Sequence, residues 1–205
     1  MSPADSKLPQ QLNLIAGEWS APTIPLEPWI CDSNSGEQLA QQQQTRDDDL
    51  ERAISSAVET HYAGEMSDLS LQERADYLDR IATTVEKSVD DMAYADAITT
   101  GVVIRDTNRL AGLVPFVFKM AAEQLRDGWM NSTLPGRLGP VEVSKKPIGP
   151  VGLISPWNAP ATITAHKIAS ALAAGCPSIV KPSEWAPHSV HFIIKAIEAA
   201  GLPAN

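Results

Sequence analysis

Short apolar strands alternate with longer helices toward the carboxyl terminus of this 205-residue chain, and this alternation constrains the fold most. The predicted elements are a strand at Val151 to Ser155, an Ala-rich helix at Ala159 to Ala174, a strand at Ser178 to Lys181 and a helix at Pro187 to Ala200. Strand, helix, strand, helix with short links is typical of a parallel sheet with crossover helices. The pattern therefore predicts an α/β fold with a Rossmann-like parallel sheet.

The amino-terminal half is predicted to be largely helical, because apolar residues recur there at three- and four-residue steps. The helical segments follow Asp47 to Asp49, follow the capping box Ser70 to Glu73, run from Val89 to Thr99 before Gly101, and run from Asp106 to Arg126 with a kink at Pro115. Such apolar stripes are usually core rather than binding sites. We therefore expect the functional residues to lie outside this helical half.

Strands and turns are predicted on either side of this helical half. Leu12 to Trp19 is a short strand that turns at Gly17, and Asp32 to Gly36 is a second turn of the same edge. Gln41 to Gln44 is interpreted as a solvated connector. Asn131 to Leu138 and Val141 to Lys146 are expected to pair as a protruding β-hairpin.

Composition excludes several classes of function. The formal net charge is −9 and no cluster of Lys and Arg is present, so we expect no nucleic-acid partner. No apolar run approaches the roughly 20 residues that span a bilayer, and Met1 to Gln11 does not resemble a leader; these features predict a cytoplasmic protein without a membrane partner. Cys31 and Cys176 are far apart, and His188 and His191 lack a third ligand nearby, so no metal site is predicted.

Two polar clusters follow the two predicted parallel strands. Ser155-Pro156-Trp157-Asn158 comes after the first strand, and Lys181-Pro182-Ser183-Glu184 comes after the second. Ligands of open parallel sheets bind beyond the carboxyl ends of the strands. The two clusters should therefore converge in one crevice.

At this point the sequence resembles the NAD(P)-dependent aldehyde dehydrogenase superfamily, in its amino-terminal, cofactor-binding portion. The matching motifs are Pro147-Ile148-Gly149-Pro150-Val151-Gly152, Pro156-Trp157-Asn158, Lys167, Ala171 to Cys176, Lys181 to Glu184, Pro187 and Ala200 to Pro203, with weaker matches at Ile15 to Trp19, Ser35 to Glu37, Glu73-Arg74 and Thr100-Gly101. The resemblance covers nearly the whole chain and is strongest from Pro147 onward.

The resemblance implies a role for each matching residue. Asn158 would donate its amide to the oxyanion that forms when a thiolate attacks an aldehyde, whereas in isolation the same residue would suggest an Asx-turn. Lys181 and Glu184 would hold the adenosine ribose, and a carboxylate there favours NAD over NADP. Outside that context they would be a solvated Lys and a helix-capping Glu.

The remaining candidate residues flank these three. Ser155, Pro156, Pro182 and Ser183 belong to the cofactor-binding motifs, and Pro156 contributes a wall with Trp157, which is otherwise an ordinary buried Trp. Lys167 matches a lysine of the family that is given a proton-relay role. The sequence fits equally well a helix residue that packs its aliphatic stem along the sheet.

The resemblance also predicts a domain plan. Residues 1–130 and 148–205 would be two parts of one incomplete cofactor-binding domain, and residues 131–147 an oligomerisation hairpin of a fold that is a homo-oligomer when complete. The glycine-rich turn, general base and nucleophilic Cys of the family find no match, so we expect a truncated aldehyde dehydrogenase fold that is inactive alone. Three alternatives stay open: a fragment or split chain of an aldehyde-oxidising enzyme, a non-catalytic product that binds cofactor weakly or joins a full-length subunit, and a degraded reading frame.

Overall fold

The computed structural model of the chain describes residues 8–202. Met1 to Lys7, which belong to the predicted polar start, and Pro203 to Asn205, which include the last residue of the motif Ala200 to Pro203, lie outside the described residues. In chain order the elements are β1 (Asn13–Ile15), β2 (Glu18–Ser20), β3 (Ile24–Cys31), β4 (Gln38–Gln44), α1 (Asp47–Tyr62), α2 (Leu71–Val85), a 3-10 turn (Glu86–Ser88), α3 (Val89–Thr100), α4 (Ile104–Ala111), α5 (Leu113–Arg126), β5 (Asn131–Gly136), β6 (Gly139–Ser144), β7 (Val151–Ile154), α6 (Pro160–Ala174), β8 (Ser178–Lys181) and α7 (His188–Ala199).

The predicted parallel pair is confirmed. Strands β7 and β8 pair in parallel from Val151 opposite Ser178 to Ile154 opposite Lys181, and α6 is the crossover helix between them. Helix α6 ends at Gly175, whose φ of +79° is left-handed and whose Cβ, if present, would lie 2.8 Å from Nη1 of Arg74. Glycine at this position therefore allows the chain to turn tightly into β8.

One apolar core joins the helices. Helix α2 packs against α5, α5 packs against α6, and α7 packs against α2 and α3. The largest fully buried side chains of this core include Leu78 and Ile81 of α2, Phe118 of α5, Ile168 of α6 and Ile193 of α7. Helices from residues before and after the β5–β6 hairpin thus share one core.

The start of α2 has the predicted capping box. Oγ of Ser70 accepts a hydrogen bond from the Glu73 backbone N–H at 3.2 Å, and the Ser70 N–H donates to Oε2 of Glu73 at 2.8 Å. The sequence-predicted helix at Val89 also agrees, since α3 ends at Gly101 with a left-handed φ of +78°.

Two of the expectations are wrong. Gln41 to Gln44 is not a connector but part of β4, where pairing with β3 satisfies the backbone and Gln42 is buried. The segment from Asp106 to Arg126 does not kink at Pro115; it divides at Gly112 into α4 and α5. Pro115 is the third residue of α5, where its missing N–H breaks no helical bond.

The predicted hairpins are present. Strands β1 and β2 are antiparallel around Ala16 and Gly17, and β5 pairs with β6 from Asn131–Ser144 to Gly136–Gly139. All residues of β5 and β6 are exposed. None of the described helices is long and apolar enough to cross a bilayer.

Candidate functional site

The carboxyl ends of β7 and β8 lie side by side. Ile154, the last residue of β7, is the register partner of Lys181, the last residue of β8. The backbone N–H of Ser155 donates to the Lys181 carbonyl at 3.1 Å, which continues the ladder by one bond. The two polar clusters named from the sequence therefore begin at neighbouring points of one sheet edge, called here the strand-end edge.

Lys181 and Glu184 form an ion pair at this edge. Nζ of Lys181 lies 2.9 Å from Oε2 of Glu184, and the side chains are 60% and 46% exposed. This hydrogen bond from Lys181 is the main cause that lowers the pKa of Glu184. Exposed ion pairs contribute only about 0–1 kcal/mol, so a ligand with hydroxyl groups can displace it at little cost.

The turn between Lys181 and Glu184 is shaped by Ser183. Its side chain is buried, its Oγ accepts from the Trp185 N–H at 3.3 Å, and its carbonyl accepts from the Ala186 N–H at 3.2 Å. Pro182 is half-buried beside it. Ser183 thus fixes the turn that presents Glu184, with its Oγ already accepting a hydrogen bond.

Asn158 is exposed, and among the described residues its side-chain amide has no hydrogen-bond partner. An Asx-turn would direct Oδ1 to the N–H two residues later, but that residue is Pro160, which has no N–H. The amide is therefore available to an external acceptor.

The three residues before Asn158 differ in exposure. Ser155 is buried and its Oγ has no partner among the described residues, while Pro156 is half-buried. Trp157 is 53% exposed, so it is not an ordinary buried Trp. Together with Ile154, which is 69% exposed, it gives the edge an open apolar surface.

Lys167 lies farther from this edge. It is half-buried on α6, seven residues beyond Pro160, which corresponds to about 10 Å along the helix axis. It takes part in no ion pair with the described residues. The position agrees with packing of its stem, and its proton-relay role stays a prediction.

The two cysteines lie away from the strand-end edge. Cys176 is 4% exposed and precedes β8, so it is at the opposite, amino-terminal end of the sheet from Lys181. Cys31 closes β3. Both are unpaired.

Two cavities of the described residues are lined by residues outside the strand-end edge. A cavity of about 320 Å³ is bounded by residues such as Gln10, Gln41 and His188, and one of about 420 Å³ by residues such as Arg52 and Glu59. Within residues 8–202, no three His, Cys, Asp or Glu side chains are grouped to hold a metal ion. Ile154, Trp157, Lys181 and Glu184 of the strand-end edge are exposed.

Asp96, a buried carboxylate near the start of α6, was not among the residues predicted from the sequence. Asp96 of α3 is 4% exposed, and desolvation raises its pKa to about 6, although the Ser189 hydroxyl and the Ala161 N–H favour its charged form. His188 of α7 is also buried, and desolvation lowers its pKa to about 4. An acidic residue among the apolar positions of α3 was the available signal for Asp96.

Comparison with known proteins assigns the chain to a family. The family model described as "Aldehyde dehydrogenase family" matches residues 27–205. The chain is 33% identical over 173 residues to a (Z)-2-((N-methylformamido)methylene)-5-hydroxybutyrolactone dehydrogenase of Acinetobacter baylyi, covering 83% of this chain and 35% of that protein. It is 29% identical over 191 residues to geranial dehydrogenase of Castellaniella defragrans, covering 92% and 40%.

Solved structures agree with these relatives. Betaine aldehyde dehydrogenase of Staphylococcus aureus, in complex with NAD+, superposes with a TM-score of 0.85 at 26% identity over 96% of this chain and 39% of that chain. A C291A variant of aldehyde dehydrogenase C from Pseudomonas syringae, complexed with NAD+ and octanal, has a TM-score of 0.83 at 29% identity, covering 95% and 39%.

The fold thus defines an α/β protein with a parallel β7–β8 pair, and the chain belongs to the aldehyde dehydrogenase family. It spans 35% and 40% of the length of the two curated relatives named above.

Proposed function

We propose that this chain forms the cofactor-binding part of an NAD-dependent enzyme that oxidises an aldehyde to a carboxylic acid. The observation that carries the proposal is the register of Ile154 with Lys181, which sets the Asn158 and Lys181 clusters at one sheet edge. The NAD+ complexes of the Staphylococcus and Pseudomonas relatives support the choice of cofactor.

The exposed pair Lys181 and Glu184 fits the adenosine ribose of a dinucleotide. The Lys181 ammonium donates to hydroxyl oxygens, and the Glu184 carboxylate accepts from hydroxyl hydrogens. A carboxylate at the ribose 2′-position repels a 2′-phosphate, which favours NAD; NADP is the alternative cofactor. Ser155, with its unpartnered buried hydroxyl, and Pro156, Pro182 and Ser183 would frame the same edge.

Asn158 is proposed to stabilise the oxyanion of the reacting aldehyde. Its amide has no protein partner among the described residues, so it can donate fully to a developing negative charge. Loss of one such donor typically costs about 10²-fold or more in rate. Bound NAD supplies the hydride acceptor.

Neither cysteine of the sequence is proposed as the nucleophile. Cys176 is buried just before β8, whose ends Ser178 and Lys181 are roughly 10 Å apart at the rise of a strand, and Cys31 is on a separate sheet. We therefore propose that the 205 residues alone transfer no hydride, and that the thiol and general base come from other residues of an assembled enzyme. The exposed apolar surface at Trp157 suits an apolar or aromatic aldehyde.

The fully exposed hairpin β5–β6 supports a second role in association. Leu134 and Val141 of this hairpin are about half exposed, and its edges are unpaired within the described residues. Residues 131–147 are therefore proposed as an oligomerisation surface, and residues 1–130 with 148–205 as one cofactor-binding domain. The two unpaired cysteines fit a cytoplasmic location.

Calorimetric titration of the purified 205-residue chain with NAD tests the proposal. We expect weak binding that is lost in the double variant Lys181→Ala/Glu184→Ala. The matched control is Lys195→Ala/Glu198→Ala on α7, which removes a second Lys–Glu pair of the same spacing, at 3.0 Å. That control should bind NAD as the unmodified chain does.

Two results would contradict the proposal. One is NAD binding that survives loss of Lys181 and Glu184 while the fold is intact by circular dichroism. The other is Asn158-dependent formation of NADH from an aldehyde by the isolated chain, which would show that the thiol is not needed from elsewhere.

A further inference from the structure

We propose that Asp96 is a positioning residue for Asn158, because its carboxylate caps the first turn of α6, the helix that begins two residues after Asn158. The inference rests on the proposed role of Asn158, and adds a residue from a distant helix to the machinery that places its amide.

Helix α6 has no cap of its own. Its N-cap residue, Ala159, carries no side-chain acceptor, and its first residue is Pro160. The Ile163 N–H donates to the Ala159 carbonyl at 3.1 Å, which starts the helical ladder. The N–H groups of Ala161 and Thr162 therefore remain without helical partners.

Asp96 supplies the missing acceptor from α3. Its Oδ2 accepts from the Ala161 N–H at 3.4 Å, across 65 residues of sequence. Ala161 is the second residue of α6, the position to which a local N-cap side chain would bond. A carboxylate at the positive end of the helix is further stabilised by the aligned peptide dipoles.

A neighbouring contact fixes the same turn. Oγ1 of Thr162 donates to the Leu110 carbonyl of α4 at 2.8 Å. Consecutive residues of α6 are thus fastened to α3 and α4, which leaves the segment from Asn158 to Pro160 little freedom. The position of the Asn158 amide is then set by helices far from it in sequence.

Because Asp96 is buried, the hydrogen bond from the Ala161 N–H depends on which acceptor the side chain at position 96 offers. Among the described residues, Oδ1 of Asp96 and Oγ of Ser189 have no partner with hydrogen-bond geometry, although the two groups are close enough to interact. Removing the carboxylate would leave the Ala161 N–H buried without an acceptor, whereas Asn would retain one oxygen at the same place.

Amide hydrogen exchange and 1H–15N spectra of the isotope-labelled 205-residue chain test the proposal. We expect the Ala161 amide to exchange roughly tenfold faster in Asp96→Ala, and the Asn158 side-chain signals to shift. Asp96→Asn should give intermediate exchange, as partial rescue by the remaining oxygen. Asp91→Asn, on the exposed side of the same helix, is the control and should match the unmodified chain.

The proposal is overturned if Asp96→Ala keeps the fold yet leaves either the Ala161 exchange or the Asn158 signals unchanged. If Asp96→Ala does not fold, Asp96→Asn decides: Ala161 exchange equal to that of the unmodified chain overturns it. None of these measurements uses NAD. Adding NAD to the unmodified sample tests the proposed function separately, since the cap can be present where cofactor binding is absent.

Discussion

Asp96 and His188 are the two buried groups whose pKa values depart furthest from their ordinary range, and they act in opposite directions. Burial raises the pKa of Asp96 from 3.8 to about 6, so the folded chain holds this proton more tightly than the unfolded chain does. Burial lowers the pKa of His188 from 6.5 to about 4, so there the unfolded chain holds the proton more tightly. The pH range in which Asp96 changes its protonation, 3.8 to about 6, nearly coincides with that of His188, about 4 to 6.5.

The signs follow from linkage between protonation and folding. The contribution of Asp96 to stability is fully present below pH 3.8 and is lost as the pH rises through 6. The contribution of His188 is fully present above pH 6.5 and is lost as the pH falls through 4. Between about pH 4 and pH 6.5 the pH dependence of stability from Asp96 is opposite in sign to that from His188. The two should largely cancel in the unmodified chain.

Single substitutions should expose each contribution. Relative to the unmodified chain, Asp96→Asn should lose about 2 kcal/mol of unfolding free energy when the pH falls from about 7 to about 4.5, and His188→Gln should gain about 2 kcal/mol. Urea unfolding at the two pH values measures both. Changes of equal sign in the two variants would be incompatible with this account, and Asp91→Asn, at an exposed site, serves as the control.

At the scale of single elements, helices of this chain begin in three ways. Helix α2 carries a complete capping box from its own sequence, α6 takes its acceptor from Asp96 on another helix, and α3 begins at Ser88 without a side-chain cap. Only the first of these is visible as a local motif. The starts of α2 and α3 should therefore respond differently to removal of the serine hydroxyl at the N-cap.

Ser70→Ala should lower the unfolding free energy by about 1 kcal/mol, because the Glu73 backbone N–H loses its acceptor, Oγ of Ser70, and the Glu73 carboxylate loses the Ser70 hydroxyl as a donor. Ser88→Ala is the matched control, since its Oγ caps nothing and the change should stay within about 0.5 kcal/mol. Chemical denaturation near neutral pH compares them. Equal losses at both serines would show that the capping box contributes nothing particular.

At the scale of the whole molecule, α5 packs against helices from both halves of the described chain. Its inner face packs on α2 and α6, which come from either side of the β5–β6 hairpin in sequence, and Phe118 of α5 is fully buried in the shared core. Its outer face carries Phe116, which is 58% exposed. The stability of the described body should therefore depend on one of these aromatic residues and little on the other.

Phe118→Ala should cost about 3–5 kcal/mol, because it removes a large side chain and leaves a cavity at the centre of the core. Phe116→Ala, two residues away on the same helix, should change stability by about 0.5 kcal/mol or less. Thermal and urea unfolding measure the difference. A small effect of Phe118→Ala would mean that residues 8–130 and 148–202 do not share a single cooperative core.

The sequence by itself determined the elements whose signals are local. Apolar periodicity predicted the crossover helix α6 and the strands β7 and β8, Ser70 and Glu73 predicted the start of α2, and Gly101 predicted the end of α3. The motifs around Asn158 and Lys181 predicted the family and the sheet edge where both lie. These signals suffice because each depends on neighbouring residues or on one strand–helix–strand unit.

Only the tertiary structure decided what depends on partners distant in sequence. Gln41 to Gln44 became a strand because β3 satisfies its backbone, and the helix break moved to Gly112 because a proline is harmless in a first turn. Asp96 acquired its place at the start of α6 through a contact across 65 residues. Backbone pairing and burial of a charge are set by what surrounds a residue in space, and no local pattern encodes that surrounding.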